Sequence, residues 1–109
     1  MAKLKVLIVD DMSSVRKFTT YGLEKNHPNL AIEEAANGKE AQALIENTRY
    51  DFILCDWEMP MMKGDELLEW VRKDSATKDV PFIMITAKNE KEDVIKAVHL
   101  GVNGYIVKP

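Results

Sequence analysis

The 109-residue chain has the length of one domain, and 46% of its residues are hydrophobic, enough for a buried core. Its net charge of −3 argues against a nucleic-acid-binding module, and its single cysteine excludes an internal disulfide. No apolar run has the length of a transmembrane helix, and the apolar run after the N-terminal lysines is too short for a signal peptide. We therefore expect a cytoplasmic protein with one domain, residues 1–109.

The first half of the chain alternates strand patterns with helix patterns. The run KVLIV is continuously apolar and predicts a parallel strand that is buried on both faces. SSVRKFTTYGLEKN predicts a helix with a serine N-cap and with Val15, Phe18 and Leu23 on its buried face. The alternating run NLAIEEA, residues 29–35, predicts an edge strand, and NGKEAQALIEN predicts a second helix.

The second half of the chain repeats this alternation. The runs FILC, PFIMI and GYIV predict three further strands buried on both faces. GDELLEWVRK predicts the helix between the first two of them. NEKEDVIKAVHLG predicts the last helix, because Asn89 with Glu92 resembles a capping box and Gly101 is a typical residue to end a helix. Strands that alternate with helices in this way predict an α/β domain with a parallel sheet.

Polar residues follow four of the five predicted strands. They are Asp10 with Asp11, then Asp56, Thr86 and Lys108. Sites in open parallel sheets form beyond the carboxyl ends of the strands, where these side chains would converge. Three neighbouring carboxylates repel one another, and bound Mg²⁺ would relieve that repulsion. A carboxylate acceptor, a metal, an ammonium group and a hydroxyl are the groups needed to transfer a phosphoryl group, so we predict that Asp56 is a phosphoacceptor.

The stretches VLIVDDMSSVRK, FILCDWEMPMMKGDELL and FIMITAKNEKEDVIKAVHLGVNGYIVKP resemble the receiver domain of two-component response regulators. The resemblance covers essentially the whole chain and is greatest to the stand-alone chemotaxis regulators. It implies a doubly wound, flavodoxin-like α/β fold with five parallel strands in the order 2-1-3-4-5. It implies a signalling switch rather than an enzyme, with a histidine kinase as partner. A flagellar motor switch protein and a phosphatase are the further partners that a chemotaxis regulator would have.

The resemblance also implies a role for each residue of the site. Asp56 accepts the phosphoryl group from a phosphohistidine of the kinase. Mg²⁺, or Mn²⁺ in its place, is bound by Asp11, by Asp56 and by the backbone carbonyl of Glu58. Asp10 belongs to the same metal site and orients a metal-bound water. Lys108 pairs with Asp56 or with its phosphate.

Thr86 and Tyr105 form the switch that the resemblance implies. Thr86 moves to hydrogen-bond a phosphoryl oxygen, and Tyr105 changes between outward and inward rotamers. The pair reports phosphorylation to the surface around the fourth helix and the fifth strand. Glu58 lies two residues after the phosphoacceptor and Lys88 two residues after Thr86, so we expect them at the mouth of the site. They are either a gate against water or two solvated charges.

Two features depart from the family pattern. Lys63 stands where the family usually has an aspartate before the loop glycine, Gly64. The sequence stops at Pro109, directly after the fifth predicted strand, where the family continues into a fifth helix. Right-handed crossovers place the first and fifth helices on the same face of the sheet. We therefore expect an uncovered apolar face through which the chain dimerises, swaps elements or aggregates.

Alternative functions fit parts of the same pattern. A haloacid dehalogenase-type phosphatase also has an acidic nucleophile after its first strand, but it needs D-x-D, and the sequence after Asp10 is DMS. A nucleotide- or flavin-binding module would have a glycine-rich phosphate loop there, which is missing. A third alternative is the receiver part of a larger regulator with an output domain.

Overall fold

The computed structural model describes residues 3–108, in which strands and helices alternate as the sequence predicts. The strands are β1 (Leu4–Val9), β2 (Leu30–Ala35), β3 (Phe52–Cys55), β4 (Phe82–Thr86) and β5 (Gly104–Val107). The helices are α1 (Ser13–Asn26), α2 (Gly38–Asn47), α3 (Gly64–Lys73) and α4 (Lys91–His99). Pro109, which follows Lys108, and residues 1–2 lie outside the described residues.

The five strands form one parallel sheet in the order β2-β1-β3-β4-β5. This confirms the predicted α/β fold and strand order, and it places β2 at an edge as predicted. The strand order reverses direction next to β1, where ligands bind in open parallel sheets. Val9 at the end of β1 pairs with Cys55 at the end of β3. The residues that follow these two strands are therefore neighbours.

The two faces of the sheet are covered unequally. The helices α2, α3 and α4 pack on one face and contribute to a large buried cluster, which includes Ala41, Ile45, Leu67, Leu68, Val71, Phe82, Met84 and Ala97. The helix α1 packs on the other face, where the buried cluster consists of Val6, Ile8 and Leu54. Most of the apolar burial that stabilises the described domain therefore lies on the face with three helices.

The prediction that strands are buried on both faces is correct for β1 and β3 and wrong for β4 and β5. In β4, Phe82 and Met84 are buried against the three-helix face, whereas Ile83 and Ile85 on the α1 face are only partly buried. In β5, Ile106 is exposed. Among the described residues, α1 is the helix on this face, and it does not extend over β4 and β5.

The helix α1 also differs from its sequence pattern. Met12, rather than a serine, is the N-cap, and its side chain makes no capping hydrogen bond. Val15 and Leu23 are partly buried as expected, but Phe18 is 80% exposed, so its assignment to the buried face is wrong. Phe18 lines a groove between α1 and β5 that the described residues leave open to solvent.

The helix α4 begins later and ends where the sequence predicts. Its N-cap is Glu90, which makes no side-chain hydrogen bond. The capping box predicted from Asn89 and Glu92 is therefore wrong, because the later start moves both residues out of the capping positions. Gly101 follows the C-cap with φ of +94°, the left-handed conformation that commonly ends helices.

We predict that the apolar groove on the α1 face causes this 109-residue chain to self-associate. Phe18 and Ile106 both line the groove and are exposed, so replacing them together with lysine adds charge without disturbing the core. The double variant should sediment closer to the monomer than the wild type does, because association through an apolar surface needs desolvation of both copies.

Val98→Lys is the matched control, since Val98 is also apolar and exposed but lies on α4. It should leave the sedimentation profile unchanged. A wild-type chain that sediments as a monomer at all concentrations would contradict the prediction.

Candidate functional site

The carboxyl ends of β1 and β3 bring three aspartates together. Asp10 and Asp11 follow β1, and Asp56 follows β3. One carboxylate oxygen from each lies within 4.8 Å of the others. Asp10 is only 5% exposed, Asp56 is partly buried and Asp11 is exposed. The cluster is therefore open to solvent on the Asp11 side, where its oxygen atoms could hold a hard metal ion.

Lys108 brings a positive charge between two of these aspartates. Its Nζ atom donates to Asp10 Oδ2 at 3.1 Å and to Asp56 Oδ2 at 3.0 Å. Burial alone would lower the pKa of the Lys108 ammonium, but the hydrogen bonds to Asp56 and Asp10 outweigh it and raise that pKa. Lys108 thus stays charged at neutral pH and offsets the repulsion between the two carboxylates.

Backbone amides hold the remaining oxygens of the same two aspartates. The N–H of Met12 donates to Asp10 Oδ1 at 3.0 Å, and the N–H of Trp57 donates to Asp56 Oδ1 at 2.7 Å. Each carboxylate therefore has one oxygen on an ammonium group and one on the backbone. This arrangement fixes their orientation before any ligand binds.

The loop between β3 and α3 returns to the site because Gly64 has no side chain. A Cβ atom at Gly64 would lie 2.2 Å from the carbonyl oxygen of Asp56, far inside contact distance. The N–H of Gly64 also donates to the Trp57 carbonyl at 2.8 Å. Within the loop, Met61 has φ of +72°, which is uncommon for a residue other than glycine. The start of α3 thus packs directly on the backbone of Asp56.

The side chains of Thr86 and Tyr105 are both hydrogen-bonded to the backbone of Lys88. Thr86 is buried, and its Oγ1 atom accepts a hydrogen bond from the Lys88 N–H at 3.2 Å. The Tyr105 hydroxyl donates to the Lys88 carbonyl at 2.7 Å. The Tyr105 ring packs edge-on against Trp57, with ring centroids 6.4 Å apart. One residue of the β4–α4 loop therefore connects the two predicted switch residues.

The side chains of Glu58 and Lys88 form an ion pair that is partly exposed to solvent. Lys88 Nζ lies 3.1 Å from Glu58 Oε1 and 5.6 Å from the centre of the Trp57 ring. The hydrogen bond with Glu58 is the main cause that raises the pKa of Lys88. Lys63 Nζ lies 3.9 Å from the other carboxylate oxygen of Glu58. Lys63, which stands where the family usually has an aspartate, thus contacts the same glutamate as Lys88.

Three contacts around the site were not predicted from the sequence. Arg16 Nη1 donates to the Asp10 carbonyl at 2.6 Å, and Arg16 Nε donates to Glu34 Oε1 at 2.8 Å. On the opposite side, Lys96 of α4 pairs with the buried Asp65 of α3 at 2.7 Å. The Arg16–Glu34 and Lys96–Asp65 pairs join different elements, so no short spacing pattern indicates them. The sequence could have indicated these pairs only through a charged residue at a position that its helix or strand pattern predicts to be buried.

Comparison with known proteins decides the family. Residues 6–109 match the family described as the response regulator receiver domain. The chain belongs to this family. It is 42% identical to the chemotaxis protein CheY-3 of Vibrio cholerae over 106 residues, which are 97% of this chain and 81% of that protein. It is 40% identical to the chemotaxis protein CheY of Pseudomonas aeruginosa over 107 residues, with 97% and 85% covered.

Solved receiver structures have the same fold. The chemotaxis protein CheY4 of Vibrio cholerae superposes with a TM-score of 0.91 at 36% identity, over 99% of this chain and 88% of that one. The resemblance to the receiver family is therefore confirmed, and a receiver function is favoured over the haloacid dehalogenase and flavin alternatives.

No helix formed by residues 3–108 is long and apolar enough to span a membrane. The cytoplasmic location and the domain bounds of 1–109 stay predictions.

We predict that Lys108→Met lowers the free energy of unfolding by about 2 kcal/mol, between the values typical of exposed and of buried ion pairs. The physical reason is that Asp10 and Asp56 would face each other without a cation. Urea unfolding measures the change. Lys73→Met is the control, because Lys73 pairs with Glu69 on the exposed surface of α3. Equal losses in the two variants would contradict the prediction.

Proposed function

We propose that the protein is a phosphorylation-activated switch of a two-component pathway that accepts a phosphoryl group on Asp56. The observation that carries this proposal is the Lys108 ammonium shared between Asp10 and Asp56, next to the open side of the aspartate cluster. A phosphoryl group in transfer needs its charge neutralised and its position fixed more than it needs a general base. The site offers those two functions.

The proposed transfer starts from a phosphohistidine of a histidine kinase. A carboxylate oxygen of Asp56 forms a bond to phosphorus while the phosphorus–nitrogen bond breaks, and the electron pair of that bond stays on the imidazole. The product is an acyl phosphate on Asp56. Lys108 already contacts Asp56 Oδ2 at 3.0 Å, so its charge is in place to stabilise the added phosphoryl oxygens. No outside substrate is turned over, and the protein is a switch rather than an enzyme.

The residues of the site fit a divalent metal ion. Three carboxylate oxygens lie within 4.8 Å of one another, and Asp11 makes no side-chain hydrogen bond or ion pair within residues 3–108. We infer that Asp10, Asp11, Asp56 and the backbone carbonyl of Glu58 would hold Mg²⁺, for which Mn²⁺ can substitute. The bound ion would supply positive charge next to the transferring group.

The hydrogen bonds of Lys88 support a route from the site to the surface. A movement of Thr86 toward a phosphate on Asp56 would break its bond to the Lys88 N–H. The loop would then shift the Lys88 carbonyl, which holds the Tyr105 hydroxyl. Tyr105 would be free to change its rotamer, and the surface formed by α4 and β5 would change with it.

The pathway that we propose is chemotaxis. The support is the similarity to chemotaxis proteins of two bacteria at 42% and 40% identity. A histidine kinase is the partner that a receiver domain needs. In a chemotaxis pathway, a flagellar motor switch protein would bind the phosphorylated form, and a phosphatase would end the signal.

Incubation with acetyl phosphate and Mg²⁺ tests the proposal. We expect the intact mass to rise by one phosphoryl group in the wild type and to stay unchanged in Asp56→Asn, because the amide is not a phosphoryl acceptor. Asp51→Asn is the matched control, since Asp51 is an exposed aspartate at the other end of β3. It should be labelled like the wild type.

Asp11→Ala tests the metal in the same assay. The loss of one carboxylate ligand should prevent Mg²⁺ from binding at the Mg²⁺ concentrations of the assay. The labelling of this variant should therefore no longer depend on Mg²⁺. Labelling of Asp56→Asn equal to that of the wild type would refute the phosphoacceptor. Unchanged Mg²⁺ affinity in Asp11→Ala would refute the metal site.

We further propose that the Glu58–Lys88 pair slows dephosphorylation by lying across the path of the attacking water. Glu58→Asn and Lys88→Ala should each accelerate phosphate release by about threefold, in line with the modest strength of exposed ion pairs. The double variant should show a non-additive effect, because either change alone already opens the pair.

The exposed Glu69–Lys73 pair of α3 provides the control cycle. Its variants should release phosphate at the wild-type rate. Strictly additive effects at Glu58 and Lys88 would show that the two residues do not act as a gate.

A further inference from the structure

We propose that Arg16 is a positioning residue for the metal site, which holds the peptide group between Asp10 and Asp11 in the orientation that presents both acids to a cation. This inference rests on the proposed function, since it concerns the same metal site. It assigns a role to a residue of α1 that contributes no ligand of its own.

The Arg16 guanidinium uses two different nitrogens for two different partners. Its Nη1 atom donates to the backbone carbonyl of Asp10 at 2.6 Å, and its Nε atom donates to Glu34 Oε1 at 2.8 Å. The Arg16 side chain is 14% exposed, so both contacts are largely shielded from water. A planar guanidinium held at two points has little freedom to rotate, which makes it a rigid support for the Asp10 carbonyl.

The Asp10 carbonyl determines where Asp11 lies. This carbonyl belongs to the planar peptide unit that includes the nitrogen and Cα atom of Asp11. The Asp10 side chain has its own support, from the Met12 N–H and from Lys108. The Asp11 side chain has no such hydrogen bond within residues 3–108, so its direction depends on the backbone. Holding the carbonyl therefore holds the nitrogen and Cα atoms from which the Asp11 side chain, the exposed ligand of the cluster, extends.

Glu34 anchors the arginine to the sheet. Glu34 lies in β2 and is paired in register with Ile8 of β1. Burial would raise the pKa of Glu34, but hydrogen bonds from Lys17 and Arg16 outweigh it and lower that pKa. The carboxylate is therefore ionised and compensates the guanidinium charge. Because Glu34 compensates its charge, Arg16 holds the Asp10 carbonyl while adding little net positive charge next to the cation site.

Replacing Arg16 with an uncharged residue should change cation binding in two opposite ways, one through the lost charge and one through the released Asp10 carbonyl. Removing a positive charge near a cation site should strengthen cation binding. Releasing the Asp10 carbonyl should weaken it, because Asp11 is no longer held in place. Lys17 separates the two effects, because it also pairs with Glu34, at 3.1 Å, but it is 69% exposed and makes no hydrogen bond to Asp10.

Calorimetric titration with Mg²⁺ alone tests the inference on the wild type, Arg16→Met and Lys17→Met. The Kd should rise by about tenfold in Arg16→Met, the lower end of the effect of residues that orient metal ligands. Lys17→Met should bind with an unchanged or slightly lower Kd. Urea unfolding of each variant establishes that the titrated protein is folded.

Labelling with acetyl phosphate gives a second readout. Arg16→Met should be labelled slowly at low Mg²⁺ and at the wild-type rate once Mg²⁺ is saturating, because the acceptor itself is intact. A rate that stays low at saturating Mg²⁺ would overturn a role through the metal.

An Arg16→Met chain with the wild-type Kd, or a lower one, overturns the inference. If that variant does not fold, Arg16→Lys takes its place. Lysine keeps the charge but carries all of its donors on one rotating nitrogen, so it lacks the rigid planar guanidinium that holds the Asp10 carbonyl and Glu34 at two separate nitrogens. A raised Kd in Arg16→Lys supports the inference, and an unchanged Kd overturns it. Absence of Mg²⁺ binding by the wild type would instead overturn the proposed function.

Discussion

The ammonium group of Lys108 lies between Asp10 and Asp56, and the rest of the site depends on this contact. Two carboxylates that share a partly buried position repel each other unless a cation compensates them. The bond to Asp10 joins residues that are 98 positions apart in the sequence. It forms only when β5 has paired with β4 while β1 and β3 occupy the centre of the sheet. The residue after the fifth strand therefore compensates the aspartates after the first and third strands.

The convergence of the aspartates and Lys108 could be predicted because it follows from topology. Parallel strands have their carboxyl ends at one edge, so a polar residue after each apolar run is directed to the same place. The strand and helix patterns were sufficient for the α/β class. The strand order and the individual roles needed the family motifs, because apolar periodicity does not say which strands are neighbours.

Other features could not be predicted because they depend on what covers each surface. The apolar runs of β4 and β5 are as continuous as that of β1, yet Ile85 is only partly buried and Ile106 is exposed. A helical pattern likewise placed Phe18 on a buried face, although nothing within residues 3–108 packs over it. The Arg16–Glu34 contact joins α1 to β2, and the sequence separation of 18 residues carries no periodic signal.

The unequal cover of the two faces affects how long the site stays assembled. None of the residues of α1 is fully buried, whereas α3 has several that are. An element with few buried contacts opens locally at a smaller free energy than the whole domain, and its amides then exchange hydrogen sooner. Arg16 moves with α1, so each such opening releases the Asp10 carbonyl while the central strands stay paired. The rate at which α1 opens locally, rather than the rate of global unfolding, would then limit how long Asp11 stays in its ligand position. Amide hydrogen exchange of α1 reports that opening.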